Sequence, residues 1–156
     1  MIGKLIGIDH GLVRIGVAVS DATGLVAREL TIITRKSKRE DFATINQIAA
    51  QENAVAIIIG LPYEERAAEG QHTQADTVKT WAARFAETTM LPYTFWDEQL
   101  TSVDAAAMAR QRRRKPRDPI DDLAARVMLQ SYLDALRDGL AVLPVRPTDD
   151  SPPSAE

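Results

Sequence analysis

The chain has 156 residues, 45% of them hydrophobic and 26% charged, with a net charge of −3, the profile of one globular domain with a sizeable core. It has no cysteine, which excludes disulfides and thiolate metal sites, and two histidines, His10 and His72, are too few for a histidine-rich zinc site. No apolar run approaches the roughly 20 residues that span a bilayer, and Asp9 and His10 interrupt any signal-peptide pattern, so a cytoplasmic protein without membrane contact is expected. The mildly acidic balance makes no case for a nucleic-acid partner; local clustering of charge would have to supply it.

In chain order, Leu5 to Ile8 is a short apolar run that reads as a buried strand, with Asp9 at its end and Gly7 and Gly11 allowing the backbone to turn and approach closely. Arg14 to Ser20 follows too soon for a helical crossover, so the two runs should pair as an antiparallel hairpin. Asp21-Ala22-Thr23-Gly24 is a turn, and Ala27 to Thr34 can form a third strand. Ser37-Lys38-Arg39-Glu40 is a capping box that opens a helix carrying Phe42, Ile45, Ile48 and Ala49 on one stripe and ending near Asn53. Ala54 to Ile59, closed by Gly60-Leu61-Pro62, reads as a strand buried on both faces, and residues 63–72 as a polar loop. Thr73-Gln74-Ala75-Asp76 caps a second helix bearing Val78, Trp81, Ala82 and Phe85, after which Tyr93 to Trp96 is a strand that ends at Asp97-Glu98.

Thr101 to Asp104 caps a further helix that runs into residues 110–117, where six of eight side chains are basic. Asp118 with Pro119 is a favoured start for the last helix, which continues to about Arg137. Residues 1–140 are read as one domain and 141–156 as a disordered tail, with four prolines from Pro144 onward. Three hairpin-linked strands followed by helix–strand alternation predict an α/β fold, and right-handed crossovers give a five-stranded mixed sheet of order 3-2-1-4-5 with helices on both faces. The first strand is then central, and Asp9 lies near the middle of the sheet.

A carboxylate beside a central strand is costly unless a metal ion or an arginine pairs with it. Glu98 follows a strand, and Asp118, Asp121 and Asp122 all sit where a helix dipole favours negative charge. A helical wheel separates the last two. Ala124, Ala125, Val127, Met128, Tyr132, Ala135 and Leu136 define one apolar face; Asp121 falls near its middle, whereas Asp122 falls at its edge, four residues before Arg126. Asp9, Glu98 and Asp121 from separate elements suggest an oxygen-ligand site for Mg²⁺ or Mn²⁺. Two such ions roughly 3.5–4 Å apart can activate water and stabilise the leaving oxygen of a phosphodiester. Arg14 and the basic run, Arg110, Arg112, Arg113, Arg114, Lys115 and Arg117, would supply phosphate contacts beside it.

Gly7-Ile8-Asp9-His10-Gly11 with Arg14 to Ala18, Gly60-Leu61-Pro62, Asp97 to Thr101, and Asp121 to Ala125 together resemble the successive motifs of the YqgF family, also called RuvX. Its members are bacterial RNase H-fold proteins related to the RuvC resolvases, and the resemblance spans residues 4 to about 137. It implies an RNase H-like nuclease that matures the 5′ end of precursor small-subunit ribosomal RNA, an activity earlier taken to be Holliday-junction resolution. Asp9, Glu98 and Asp121 match the family's acidic positions. The chain departs from the family at Leu12-Val13, where Thr-Lys is usual, and at Gln99, where Arg is usual. The partners implied are structured RNA, namely precursor rRNA, or branched DNA, with the protein a monomer or weak homodimer.

Two other readings stay open on the residues. An actin-like phosphotransferase also has an aspartate in its first hairpin, but needs two domains, for which 156 residues are too few. A catalytically silent nucleic-acid-binding module would keep the same fold, and the retained acids argue against it.

Overall fold

The structure, a computed structural model, describes residues 2–62, 72–97 and 121–145, and residues 121 and 122 by their backbone alone. Five strands, β1 (Lys4–His10), β2 (Arg14–Ser20), β3 (Ala27–Thr34), β4 (Ala54–Leu61) and β5 (Tyr93–Asp97), alternate with α1 (Lys38–Gln51) and α2 (Gln74–Ala86) and are followed by α3 (Asp121–Arg137). The sheet order is β3-β2-β1-β4-β5, as the sequence predicts. β1 pairs antiparallel with β2 and parallel with β4, and β4 pairs parallel with β5. The helix expected from Thr101, the basic run and the cap at Asp118 lie outside the described residues.

Strand alternation divides the core in two. Ile6, Ile8, Ile15, Val17, Ile57 and Ile59 point to one face and pack against Phe42 and Ile45 of α1 and Val78, Trp81 and Phe85 of α2. Leu5, Ala18, Ala56 and Ile58 point to the other face, under Ala125, Met128, Leu129, Tyr132 and Leu133 of α3. Gly7, Ala18 and Ala56 leave room on this face, so the helix seats closely there. A Cβ added at Gly7 would lie 2.9 Å from the Leu129 Cβ. Beyond α3, Ala141 and Leu143 pack against this same cluster. Residues 146–156 of the expected tail lie outside the described residues. Among the described residues no helix is long and apolar enough to cross a membrane.

The caps refine the sequence reading. Thr73 and Asp76 form a full capping box on α2. At α1, Ser37 Oγ accepts from the Glu40 N–H at 3.1 Å, while the buried Asp41 carboxylate accepts from the Lys36 N–H at 3.1 and 3.3 Å. The acid that ties the chain entering α1 is therefore Asp41.

His10 shows how β1 divides its side chains between the two faces. Its ring sits 4.7 Å from that of Trp81, on the face opposite Asp9, and is only 6% exposed. Burial, reinforced by the positive charge of Arg35, lowers its pKa from 6.5 to about 4, so it is neutral at pH 7. The unfolded chain takes up this proton near pH 6.5 and the folded chain only near pH 4. Stability is therefore full above pH 6.5 and falls as the pH drops through that window, by roughly 3 kcal/mol. His10→Phe, which keeps a ring against Trp81, is expected to remove that slope in urea unfolding between pH 6.5 and 4. A slope equal to wild type would contradict it.

Candidate active site

Asp9 is the last but one residue of β1 and pairs with Gly16 of β2. It shares a sheet face with Leu5 and Gly7, the face that α3 covers. On the other side of β1, Ile8 pairs with Ile59, so the next residue of β4, Gly60, lies beside Asp9 on the same face as Ile58. Both in-sheet neighbours of the half-buried Asp9 carboxylate therefore lack a side chain, and both glycines are buried. The two flanking strands therefore place no side chain beside this carboxylate at the end of the central strand.

The parallel strands β1, β4 and β5 end at the same edge, at His10, Leu61 and Asp97. In open α/β sheets ligands bind outside this carboxyl edge. Asp97, which pairs with Leu61, is exposed at the end of β5, two strand spacings or about 10 Å from β1. Glu98 is the residue after it and lies outside the described residues.

Contacts along β3 set the direction of α3. Arg126 Nη1 lies 3.4 Å from Glu29 Oε1, and one turn later Gln130 Oε1 accepts from the Ala27 N–H at 2.8 Å. Moving along α3 thus means moving back along β3, so the N-terminus of α3 points to the edge that carries Asp9. From Leu129, over Gly7, back to Asp121 the helix rises about 12 Å, while Gly7 to Asp9 is about 7 Å along β1. By register, position 121 continues the buried stripe of Ala125, Met128 and Tyr132. That stripe is centred differently from the expected face. Leu123, Leu129 and Leu133 are fully buried, whereas Ala124 and Leu136 are half-buried. The shift brings position 122 in from the edge as well, because it continues the line of Leu129 and Leu133. The pairing of Asp122 with Arg126 rests on a side chain outside the described residues; Arg126 itself reaches Glu29.

Of the expected site residues, the structure therefore gives Asp9 with its side chain and Asp121 by backbone position. Among the described residues no group of three or more His, Cys, Asp or Glu is arranged to hold a metal. Arg14 opens β2 at the same edge and is exposed. Arg110, Arg112, Arg113, Arg114, Lys115 and Arg117 lie outside the described residues. The structure adds Arg35, which the sequence reading passed over. Thr34 pairs with Arg14, so the residue after β3 also reaches this edge, where Arg35 Nη1 donates to the carbonyls of Gly11 and Leu12 at 3.1 and 3.0 Å. A basic residue directly after a strand antiparallel to the hairpin was the available signal.

Comparisons with known proteins place the chain in a family and support the fold. Residues 3–135 match the family model RuvX, described as Holliday junction resolvase. A Synechocystis protein named "Putative pre-16S rRNA nuclease" is 39% identical over 138 residues, covering 86% of this chain and 90% of its own. A protein of the same name from Thermoanaerobacter pseudethanolicus is 37% identical over 136 residues, covering 85% of this chain and 96% of its own. Among solved structures, Thermus thermophilus RuvC in complex with Holliday junction substrate superimposes with a TM-score of 0.62 at 15% identity, over 90% of this chain and 99% of that one. That likeness shows a shared fold. On the match over nearly the whole described fold, the chain belongs to the RuvX family.

Proposed function

We propose that this chain is a metal-dependent endonuclease acting on structured nucleic acid, with the 5′ region of precursor small-subunit rRNA as its substrate. The observation that carries the reading is the Asp9 carboxylate between Gly16 and Gly60 at the carboxyl edge of the sheet, with the start of α3 directed at it. The names of the relatives supply the substrate class. With precursor rRNA as substrate, the compartment is the cytoplasm.

The donor chemistry fits a hard divalent cation. The acids at this edge offer oxygen ligands, His10 directs its nitrogens to the opposite face, and the chain has no thiolate to offer. Asp9, Glu98 and Asp121 would hold Mg²⁺ or Mn²⁺, with one or two ions. Such ions, when bound, lower the pKa of a water and neutralise charge on the leaving oxygen.

The protein's own residues supply placement. Asp9 is held by the ladder of a central strand, so its position is fixed before substrate arrives. Arg14 and the run 110–117 hold phosphate oxygens next to it. Water then adds to phosphorus, one phosphoester bond breaks, and the departing oxygen takes up a proton. His10 stays neutral behind the site and contributes no charge to it.

The test is cleavage by the purified chain of a 5′-extended small-subunit precursor RNA and of a four-way DNA junction, with Mg²⁺ or Mn²⁺ and with EDTA. The proposal expects cutting of the RNA that EDTA abolishes. Cutting of the junction alone would move the substrate to branched DNA, the reaction in the family's description. Binding without cutting under any metal would replace the nuclease with a silent binding module.

A further inference from the structure

The tip of the β1–β2 hairpin presents Leu12 and Val13, 76% and 61% exposed, three and four residues after Asp9. Single exposed apolar residues need no explanation. Two side by side on a braced tip do. Gly11 N–H donates to the Arg14 carbonyl at 2.9 Å, and a Cβ at Gly11 would lie 2.6 Å from that same oxygen, so the turn is too tight for any other residue. The Arg35 N–H donates to the Val13 carbonyl at 2.9 Å, and Arg35 Nη1 donates to the carbonyls of Gly11 and Leu12. One arginine thus ties down three successive carbonyls, and the two apolar side chains point away from the fold. A tip held in this way loses little conformational freedom on binding.

Charge and distance indicate what the tip meets. It is flanked by Arg14 and Arg35 and stands within roughly 10 Å of Asp9, counted as three residues of extended chain. That is about three stacked base steps at 3.4 Å each. Apolar side chains between cations, beside a site that takes a phosphodiester, match the two surfaces of a nucleic-acid strand, base face and phosphate. We propose that Leu12 and Val13 are specificity-determining residues that pack against an unstacked base near the scissile phosphate and select RNA with an unpaired segment there. The proposal rests on the nucleic-acid reading above.

The experiment measures binding in EDTA, where no cleavage occurs, using a fully paired RNA duplex and the same duplex with a three-nucleotide bulge carrying 2-aminopurine. Wild type should bind the bulged RNA about tenfold tighter than the duplex and change the 2-aminopurine fluorescence. The double variant Leu12→Ser, Val13→Ser should lose that preference and the fluorescence change. Its duplex affinity should change less than twofold, and its salt dependence not at all, since every cation that meets a phosphate is retained. Leu12→Met with Val13→Ile should restore the preference. Equal loss on both RNAs, an altered salt slope, or an unchanged preference in the double serine variant would overturn the proposal while leaving nucleic-acid binding intact. Binding of neither RNA by wild type would overturn it together with the reading beneath it.

Discussion

Asp9→Asn is expected to lower metal-dependent cleavage on the order of a thousandfold while leaving the protein folded. The amide has the volume of the carboxylate, so the pairing of Asp9 with Gly16 and the ladder around it persist. What is lost is a negative charge at a site built of carboxylates, and with it most of the affinity for a divalent cation. Asp41 provides the contrast. It is 3% exposed and its oxygens accept from the Lys36 N–H at the start of α1. Asp41→Ala should cost about 1.5–3 kcal/mol of stability, the usual worth of a hydrogen bond to a charged group, and leave cleavage per folded molecule nearly unchanged. Urea unfolding and single-turnover cleavage on both variants check the pair. Similar activity losses from the two would mean that Asp9, like Asp41, is a structural acid.

The second large effect concerns the basic run. Replacing Arg112, Arg113 and Arg114 with alanine should weaken RNA binding and reduce the slope of log K against log salt by roughly two to three, at about 0.7–0.9 for each phosphate no longer neutralised. The weakening should be similar for every RNA sequence, because phosphates carry no sequence information. It is thereby distinguishable from the base-selective effect expected at Leu12 and Val13. Affinities measured between about 50 and 300 mM salt, roughly a 2.5-fold spread in Debye length, are enough to read the slope. An unchanged slope would mean that residues 110–117 are a solvated loop.

The sheet was legible because its signals are local. The gap between Ile8 and Arg14 forces a hairpin, and the apolar run at Ala54 to Ile59 allows only a strand covered on both faces. Right-handed crossovers then fix the order. The location of Asp9 at the end of the central strand followed from that topology. Its surroundings did not. Gly60 reads in sequence as the close of a strand, and only the pairing of Ile8 with Ile59 reveals it as the empty neighbour of Asp9. Arg35 was missed for the same reason, since its role depends on the register between Thr34 and Arg14, far apart along the chain. The wheel on α3 was off-centre because it left out Leu123, Leu129 and Leu133. Close packing over Gly7 turns the helix so that the two later leucines lie against the sheet.

The central claim is that Asp9, Glu98 and Asp121 form one cation site at the carboxyl edge. Titration of Mn²⁺ into isotopically labelled protein, read as paramagnetic broadening of backbone amide signals, tests it directly. Signals of residues 8–10, 97–99 and 121–123 should broaden together, saturably, and ahead of the rest of the chain. In Asp9→Asn the three groups should lose that broadening together, because each acid contributes to the same ion. Broadening confined to the acidic residues of the last ten positions, or unchanged at 97–99 and 121–123 when Asp9 is replaced, would contradict a shared site.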